Sequence, residues 1–165
     1  MFIQDRRCME SLKSKRMKKT GLLLPVIFSL TWLQAQQTIS SKEQRVQHAI
    51  IKLFDALSNR DSVSLKGCCT SDITLYEYGR VWNMDTLILK AFTLNQSSDF
   101  KRTNSFEFIN TSVDKTTAWV TYRLKSIITK DGKQTTAHWL ETVALAKERK
   151  QWKVKHLHST LIKRN

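Results

Sequence analysis

The sequence predicts an α+β domain in which a curved antiparallel sheet forms a cone and about three N-terminal helices pack over its concave face. Three observations support this prediction. Apolar residues recur at helical spacing over residues 42–58, four long β-prone segments fill residues 105–163, and turn signals separate those segments. Helices followed by a run of antiparallel strands are typical of this class.

Side chains that cap helices mark the helical part. Ser40 can cap a first helix, which we expect over residues 42–58. Asp61 can begin a second, short helix, and Asn83 or Asp85 a third. The apolar positions that repeat at helical spacing in the first helix are Val46, Ala49, Ile50, Leu53, Phe54 and Leu57.

Strands account for the rest of the chain. Residues 73–78 (ITLYEY) are rich in β-branched and aromatic side chains, and Val81-Trp82 returns briefly after Gly79. Asp131-Gly132 is a strong two-residue hairpin signal. The four long strands are expected over 105–113, 116–130, 133–147 and 151–163.

The hairpin turns predict the register. If Asp131-Gly132 is a two-residue turn, Tyr122 faces Glu141 and Leu124 faces Trp139. If Arg149-Lys150 is another, Glu141 also faces His158. One face is then apolar, with Ala118, Val120, Tyr122, Leu124, Trp139, Val143, Leu145, Trp152 and Val154. The register of the first long strand is left undecided. If the loop after it has an even number of residues, Glu107 and Ile109 face inward; if the number is odd, Phe106 and Phe108 do.

The predicted row Tyr122, Glu141 and His158 supplies the candidate catalytic residues. A buried carboxylate and imidazole are costly unless they are paired. Glu141 and His158 could form an acid/base pair in which His158 takes or gives a proton and Glu141 orients it, while Tyr122 donates to an oxyanion. The alternative is a structural network that fixes the strand register.

Further side chains are candidates for ligand binding. Tyr76, Trp82 and Trp139 could form an aromatic wall beside Tyr122, Glu141, His156 and His158. The set His156, His158 and Glu141 also matches a two-histidine, one-carboxylate metal site. No further ligand is clear, so we expect neither a metal nor another cofactor.

The N-terminal segment predicts export. Met17-Lys18-Lys19 is basic, residues 21–33 are uncharged and apolar, and Ala35 precedes a cleavage point. We therefore expect a leader over residues 1–35 and a single domain over 36–165, secreted or periplasmic and free of the membrane after cleavage. Met17 is an alternative start.

Charge and cysteine content narrow the partners. The leader holds seven of the 28 basic and two of the 14 acidic residues, which leaves 21 and 12, a net charge of +9. Such a charge favours anionic ligands or surfaces. The basic residues are scattered and no nucleic-acid-binding signature is visible, so no nucleic-acid partner is expected. The mature cysteines, Cys68 and Cys69, are adjacent, and neighbouring cysteines rarely bridge.

Four segments carry a resemblance to a known family. FDALSNRD, DITLYEYGRVWNMDTL, TTAWVTY and WKVKHLHST resemble the nuclear transport factor 2-like superfamily, and most of all its exported bacterial SnoaL-like branch. The resemblance covers nearly all of residues 40–163. It implies a cone-shaped sheet with helices over its mouth and a homodimer through the outer face, where we place Trp119, Leu140 and Leu157.

Members of that superfamily include isomerases, hydrolases, cyclases, binding proteins and scaffolds, so the fold does not select a function. The Asp and Tyr/Asp set of its ketosteroid isomerases has no residue-by-residue match here. We therefore expect a domain that binds a small apolar or anionic molecule. An enzyme using the Glu141–His158 pair and a dimeric scaffold without activity are the alternatives.

Overall fold

A computed structural model describes residues 39–93 and 96–165 of the chain. The predicted leader and its cleavage point lie outside the described residues. Within them, no helix is long and apolar enough to cross a membrane.

Three helices precede most of the sheet. Helix α1 spans Ser41–Ser58, α2 spans Ser62–Gly67 and α3 spans Met84–Ile88, which continues into a π-helical turn over Leu89–Thr93. Ser40, Asp61 and Asn83 cap them, which confirms the predicted starts and selects Asn83 over Asp85.

The sheet has six strands in the order β2-β1-β6-β5-β4-β3. Their bounds are Cys69–Glu77 for β1, Arg80–Trp82 for β2, Lys101–Val113 for β3, Thr117–Lys130 for β4, Lys133–Glu148 for β5 and Gln151–Arg164 for β6. All pairs are antiparallel except β1 with β6. This α+β architecture, a curved and unclosed sheet with helices over one face, confirms the predicted fold class.

The β4–β5 hairpin follows the predicted register over its whole length. Lys130 pairs with Lys133 across a two-residue turn, and Tyr122 pairs with Glu141. Asp131 and Gly132 both have positive φ, at 51° and 71°, as the tight hairpin turn requires. The inward face of these strands meets α1 in one hydrophobic core.

Strand β6 departs from the predicted register after its first residues. Glu148 pairs with Gln151 and Leu145 with Val154 as predicted, but Ala144 pairs with His156, which leaves Lys155 as an extra residue. A β-bulge of this kind exchanges the two faces of the strand beyond it. Glu141 therefore pairs with Ser159, and the prediction that it faces His158 was wrong.

Two further bulges, one in β3 and one in β6, decide which side chains of those strands face the core. Ile109 is an extra residue in β3. Phe106 and Phe108 therefore face the core, although an even number of residues, 114–117, separates the paired Val113 and Ala118. Ile162 is an extra residue in β6 and is 57% exposed, which brings Arg164 opposite the buried Ala137. Strand β3 also begins at Lys101, four residues before the predicted start.

Candidate functional site

A cavity of about 220 Å³ lies between the helices and the concave face of the sheet. Leu53, Phe54 and Leu57 of α1 and Leu87 of α3 form its helical wall. Charged side chains from four strands, β1, β3, β5 and β6, also face it. A larger depression of about 940 Å³ lies beside the β5–β6 turn and contains none of the predicted site residues. The sheet residues of the cavity are Leu75, Glu77, Trp82, Arg102, Ile128, Trp139, Glu141, Leu157, Ser159 and Arg164.

Glu141 is the most deeply buried carboxyl group of the cavity. It is 3% exposed, and the Ser159 hydroxyl donates a 2.8 Å hydrogen bond to its Oε1 atom. Its Oε2 atom and the Tyr122 hydroxyl are both buried without a hydrogen-bond partner among the described residues. Burial raises the pKa of Glu141, while the hydrogen bond from Ser159 and the positive charge of Arg102 oppose that rise.

Glu77 faces the same cavity from the end of β1. It shares the inward side of that strand with Leu75 because alternate residues of a strand point the same way. Burial, followed by the negative charge of Glu141, raises the pKa of Glu77 to about 7. The Ser159 hydroxyl and the Arg102 charge act in the opposite direction. Glu77 therefore changes its charge near neutral pH.

Arg102 enters the cavity from β3 on a network of neutral groups. Its Nε atom donates to Asn104 Oδ1 at 2.9 Å, and its Nη2 atom donates to Ser126 Oγ at 3.1 Å. Asn104 in turn donates to Ser58 Oγ at 2.9 Å, and Ser58 donates to the Phe54 carbonyl at 2.7 Å. This chain of hydrogen bonds ties the guanidinium to helix α1.

The mouth of the cavity is aromatic and basic. The Nη2 atom of Arg164 donates a 2.8 Å hydrogen bond to the Tyr78 hydroxyl, and the Tyr78 and Trp82 rings lie 6.4 Å apart. Lys90 lines the same side from the π-helical turn. Lys90 and Arg164 are both exposed, so this part of the cavity carries positive charge.

The sequence of the domain matches a known protein family. The model of the SnoaL-like domain matches residues 46–162 of this chain. The chain belongs to the SnoaL-like domain family. No curated protein matches it.

Solved structures show the same fold as this SnoaL-like domain. A ketosteroid isomerase-like protein from Erwinia carotovora atroseptica is 18% identical at a TM-score of 0.61, over 75% of this chain and 98% of that one. An NTF2-like protein from Cytophaga hutchinsonii is 16% identical at 0.62, over 74% and 100%. The CaMKII hub homology domain of Chlamydomonas reinhardtii is 18% identical at 0.61, over 73% and 98%. At these identities the likeness establishes the fold alone.

The SnoaL-like domain brings together four of the predicted site residues. Tyr122 and Glu141 are neighbours on paired strands, as predicted, and Trp82 and Trp139 line the cavity. Tyr122 itself lies beneath the cavity, with its ring completely buried against Phe54, Phe106 and Phe108.

The other predicted site residues lie on the outer face, so their placement in the cavity was wrong. Tyr76 is 44% exposed, and its ring stands edge-on to His156 and His158 at 4.6 and 5.9 Å. His156 Nδ1 shares a 2.7 Å hydrogen bond with Thr74 Oγ1. The bulge at Lys155 is the cause, because it turns both histidines away from Glu141.

The same bulge removes the set proposed as a metal site, since His156 and His158 point away from Glu141. Among the described residues, no group of three or more His, Cys, Asp or Glu side chains has a metal-binding arrangement. Leu157, expected on the outer face, is 3% exposed and packs in the core for the same reason.

Sequence reasoning missed Glu77, Arg102, Ser159 and Arg164. Glu77 had a usable signal, because it continues the inward alternation of Ile73 and Leu75 in β1. Arg102 lies before residue 105, where the sequence predicted the first long strand to begin. Ser159 and Arg164 face inward only because of bulges at residues whose types carry no bulge signal.

Proposed function

We propose that this domain binds a small, mostly apolar molecule in the cavity between α1 and the sheet. One observation carries the proposal: the cavity combines aromatic and aliphatic walls with a few converging charged groups, Glu77, Glu141 and Arg102. Binding sites for small molecules have this composition, whereas a plain core excludes such groups.

A plugged cavity tests the proposal. Ala91 lines the cavity and is half-buried, so Ala91→Trp should fill the space with little cost to the core. We expect some members of a library of uncharged single-ring compounds to raise the Tm of the wild-type protein and to lose that effect in Ala91→Trp. Ala144→Trp, on the opposite face of β5, is the matched control. A library without effect on the wild type contradicts the proposal.

Proton transfer on the bound molecule is a second candidate function. It is favoured by Glu77, whose pKa of about 7 suits a general base or acid at neutral pH, and by the neighbouring Glu141 and Tyr122. The ketosteroid isomerase-like relative carries a name for chemistry of this kind. Here Glu77 takes the role that the sequence had suggested for His158.

Hydrogen–deuterium exchange tests this candidate. In D₂O, the domain should speed exchange at carbon atoms next to the carbonyl of small ketones, as followed by NMR. Glu77→Gln should abolish the acceleration, since an amide cannot accept the proton. Glu107→Gln is the control, because Glu107 is exposed and pairs with Arg123 on the outer face. If both variants lose the acceleration equally, or if neither loses it, Glu77 is not the group that transfers the proton.

We also propose export and dimerisation, which rest on sequence. For export, the mature protein isolated from its source should begin after Ala35, as N-terminal sequencing would show.

For the dimer, Trp119 and Leu140 are 49% and 39% exposed on the outer face. Trp119→Asp should convert a dimer to a monomer in sedimentation, and a variant that stays dimeric contradicts this interface. A dimeric scaffold would pass this test and fail both ligand tests.

A further inference from the structure

The cavity contains more positively charged side chains than carboxyl groups. Three cations stand against two carboxyl groups, so the net charge is positive even when both carboxyls are ionised. Burial raises the pKa of both carboxyls, which makes the excess larger at and below neutral pH. The titratable and charged groups in or beside the cavity are Lys90, Arg102, Arg164, Glu77, Glu141, Tyr78 and Tyr122.

Arg102 has no carboxylate partner. Among the described residues, none of the ion pairs includes it, and its hydrogen bonds go to a neutral amide and a neutral hydroxyl. Its Nη1 atom donates to no group in that part of the chain. A buried guanidinium is costly without a counter-charge, and it binds carboxylates with two parallel N–H groups when one is in reach.

The position of Arg102 is fixed before any ligand arrives. Asn104 and Ser126 hold two of its nitrogen atoms, and Ser126 also donates to Asn104 at 2.6 Å. Its Cζ atom lies 5.3 Å from the centre of the Phe54 ring and 5.8 Å from that of Trp139. A donor that is already ordered loses little entropy on binding.

The size of the space limits the ligand. An apolar cavity of about 150 Å³ holds one benzene molecule. At about 220 Å³, the cavity has room for one ring with a short substituent. The Trp139 and Phe54 rings lie beside Arg102, and Leu157 lines the same cavity.

We infer that the ligand of this cavity is a small carboxylate with a body about the size of one ring, whose carboxylate binds Arg102. This inference rests on the proposed function, because it names the class of molecule bound at that site. The ring packs on Trp139, and the carboxylate supplies the direct ion pair that Arg102 lacks among the described residues.

The inference makes binding depend on pH. An ionised Glu77 repels the bound carboxylate and attracts Arg102, so the ligand binds best when Glu77 is protonated. Binding therefore takes up a proton above the pH at which Glu77 ionises. Affinity should fall as pH rises from 6 to 8.5, while an uncharged analogue keeps its affinity.

Benzoate, benzamide and benzylamine are matched probes that differ in charge. Their dissociation constants would be measured by titration calorimetry on the full chain at pH 6, with the Trp139 indole NMR signal reporting the site. We expect benzoate to bind at least tenfold more tightly than benzamide, and benzylamine not to bind. Arg102→Gln should weaken benzoate at least tenfold and leave benzamide unchanged. Arg123→Gln, which removes an exposed arginine on the outer face, should change neither.

Other outcomes overturn the inference. If benzamide binds as tightly as benzoate, or if Arg123→Gln weakens benzoate as much as Arg102→Gln, Arg102 is not a carboxylate site, although the cavity still binds small molecules. If neither benzoate nor benzamide binds while uncharged library compounds do, the carboxylate inference is wrong but the proposed binding function stands. If no compound binds, the proposed binding function is wrong as well. Should Arg102→Gln not fold, a wild-type benzoate affinity that stays constant between pH 6 and 8.5 overturns the inference.

Discussion

Glu77 and Glu141 face one cavity from β1 and β5, the two strands that flank β6. Burial raises the pKa of both carboxyls, and the negative charge of Glu141 raises the pKa of Glu77 further. Ser159 of β6 lies between the strands and donates its hydrogen bond to Glu141. Glu77, with a pKa of about 7, therefore changes its charge near neutral pH beside a carboxyl whose pKa is also raised.

The raised pKa of Glu77 predicts that stability falls as pH rises. The folded state holds the proton with a pKa of about 7, against 4.5 for an ordinary glutamate. This stabilisation is complete below pH 4.5 and is lost as pH rises through about 7, by at most about 3 kcal/mol. In urea titrations, wild type should lose stability between pH 5 and 8, and Glu77→Gln should lose less. Parallel pH profiles for the two proteins would contradict the assignment.

The hydrogen bond from Ser159 predicts a local loss of stability. Ser159→Ala should destabilise the domain by about 1–3 kcal/mol, because Glu141 then keeps no hydrogen-bond donor among the described residues. It should also raise the pKa of Glu141, as followed by the carboxyl signal in NMR. Thr160→Ala, at an exposed position of the same strand, is the control. Equal effects of the two substitutions would show that the bond is unimportant.

How much the sequence could predict depended on whether the strands were regular. The β4–β5 register followed from one Asp-Gly turn because no extra residue interrupts those 14 pairs. The capped helices followed from local chemistry, since Ser40, Asp61 and Asn83 each bond to backbone within three residues.

The prediction of the candidate site failed because of one residue in β6. Counting from the β5–β6 turn is correct up to Val154, and the bulge at Lys155 then exchanges His158 for Ser159. Lys155 bonds to Asp72 of β1 at 2.7 Å, a contact between strands far apart in sequence. A bulge stabilised by such long-range contacts leaves no local signal, so alternation alone placed the wrong residues in the cavity.

The adjacent cysteines should differ in reactivity. Cys69 is 3% exposed, and burial raises the pKa of its thiol to about 12, whereas Cys68 is half-buried with a smaller rise from the same cause. Thiolates are the reactive form. Iodoacetamide should therefore label Cys68 before Cys69 in the native protein, with peptide mass spectrometry as the measurement. Unfolding in urea should equalise the two rates, and equal rates in the native protein would contradict the burial of Cys69.

The bulge in β6 predicts opposite results for two single-residue deletions. Removing Lys155 makes the strand regular and keeps Leu157 and Ser159 inward, since two residues separate Val154 from Leu157 at the bulge and one would remain. The costs are the bulge's curvature and the exposed Lys155–Asp72 ion pair. Removing His158 instead turns Ser159 and Leu161 outward and places Thr160 opposite Glu141. Urea denaturation should show the Lys155 deletion to be the more stable by about 1–2 kcal/mol, because only the other one turns the Leu161 side chain from the core to solvent. If the two deletions unfold at the same urea concentration, the bulge does not decide which residues of β6 reach the cavity.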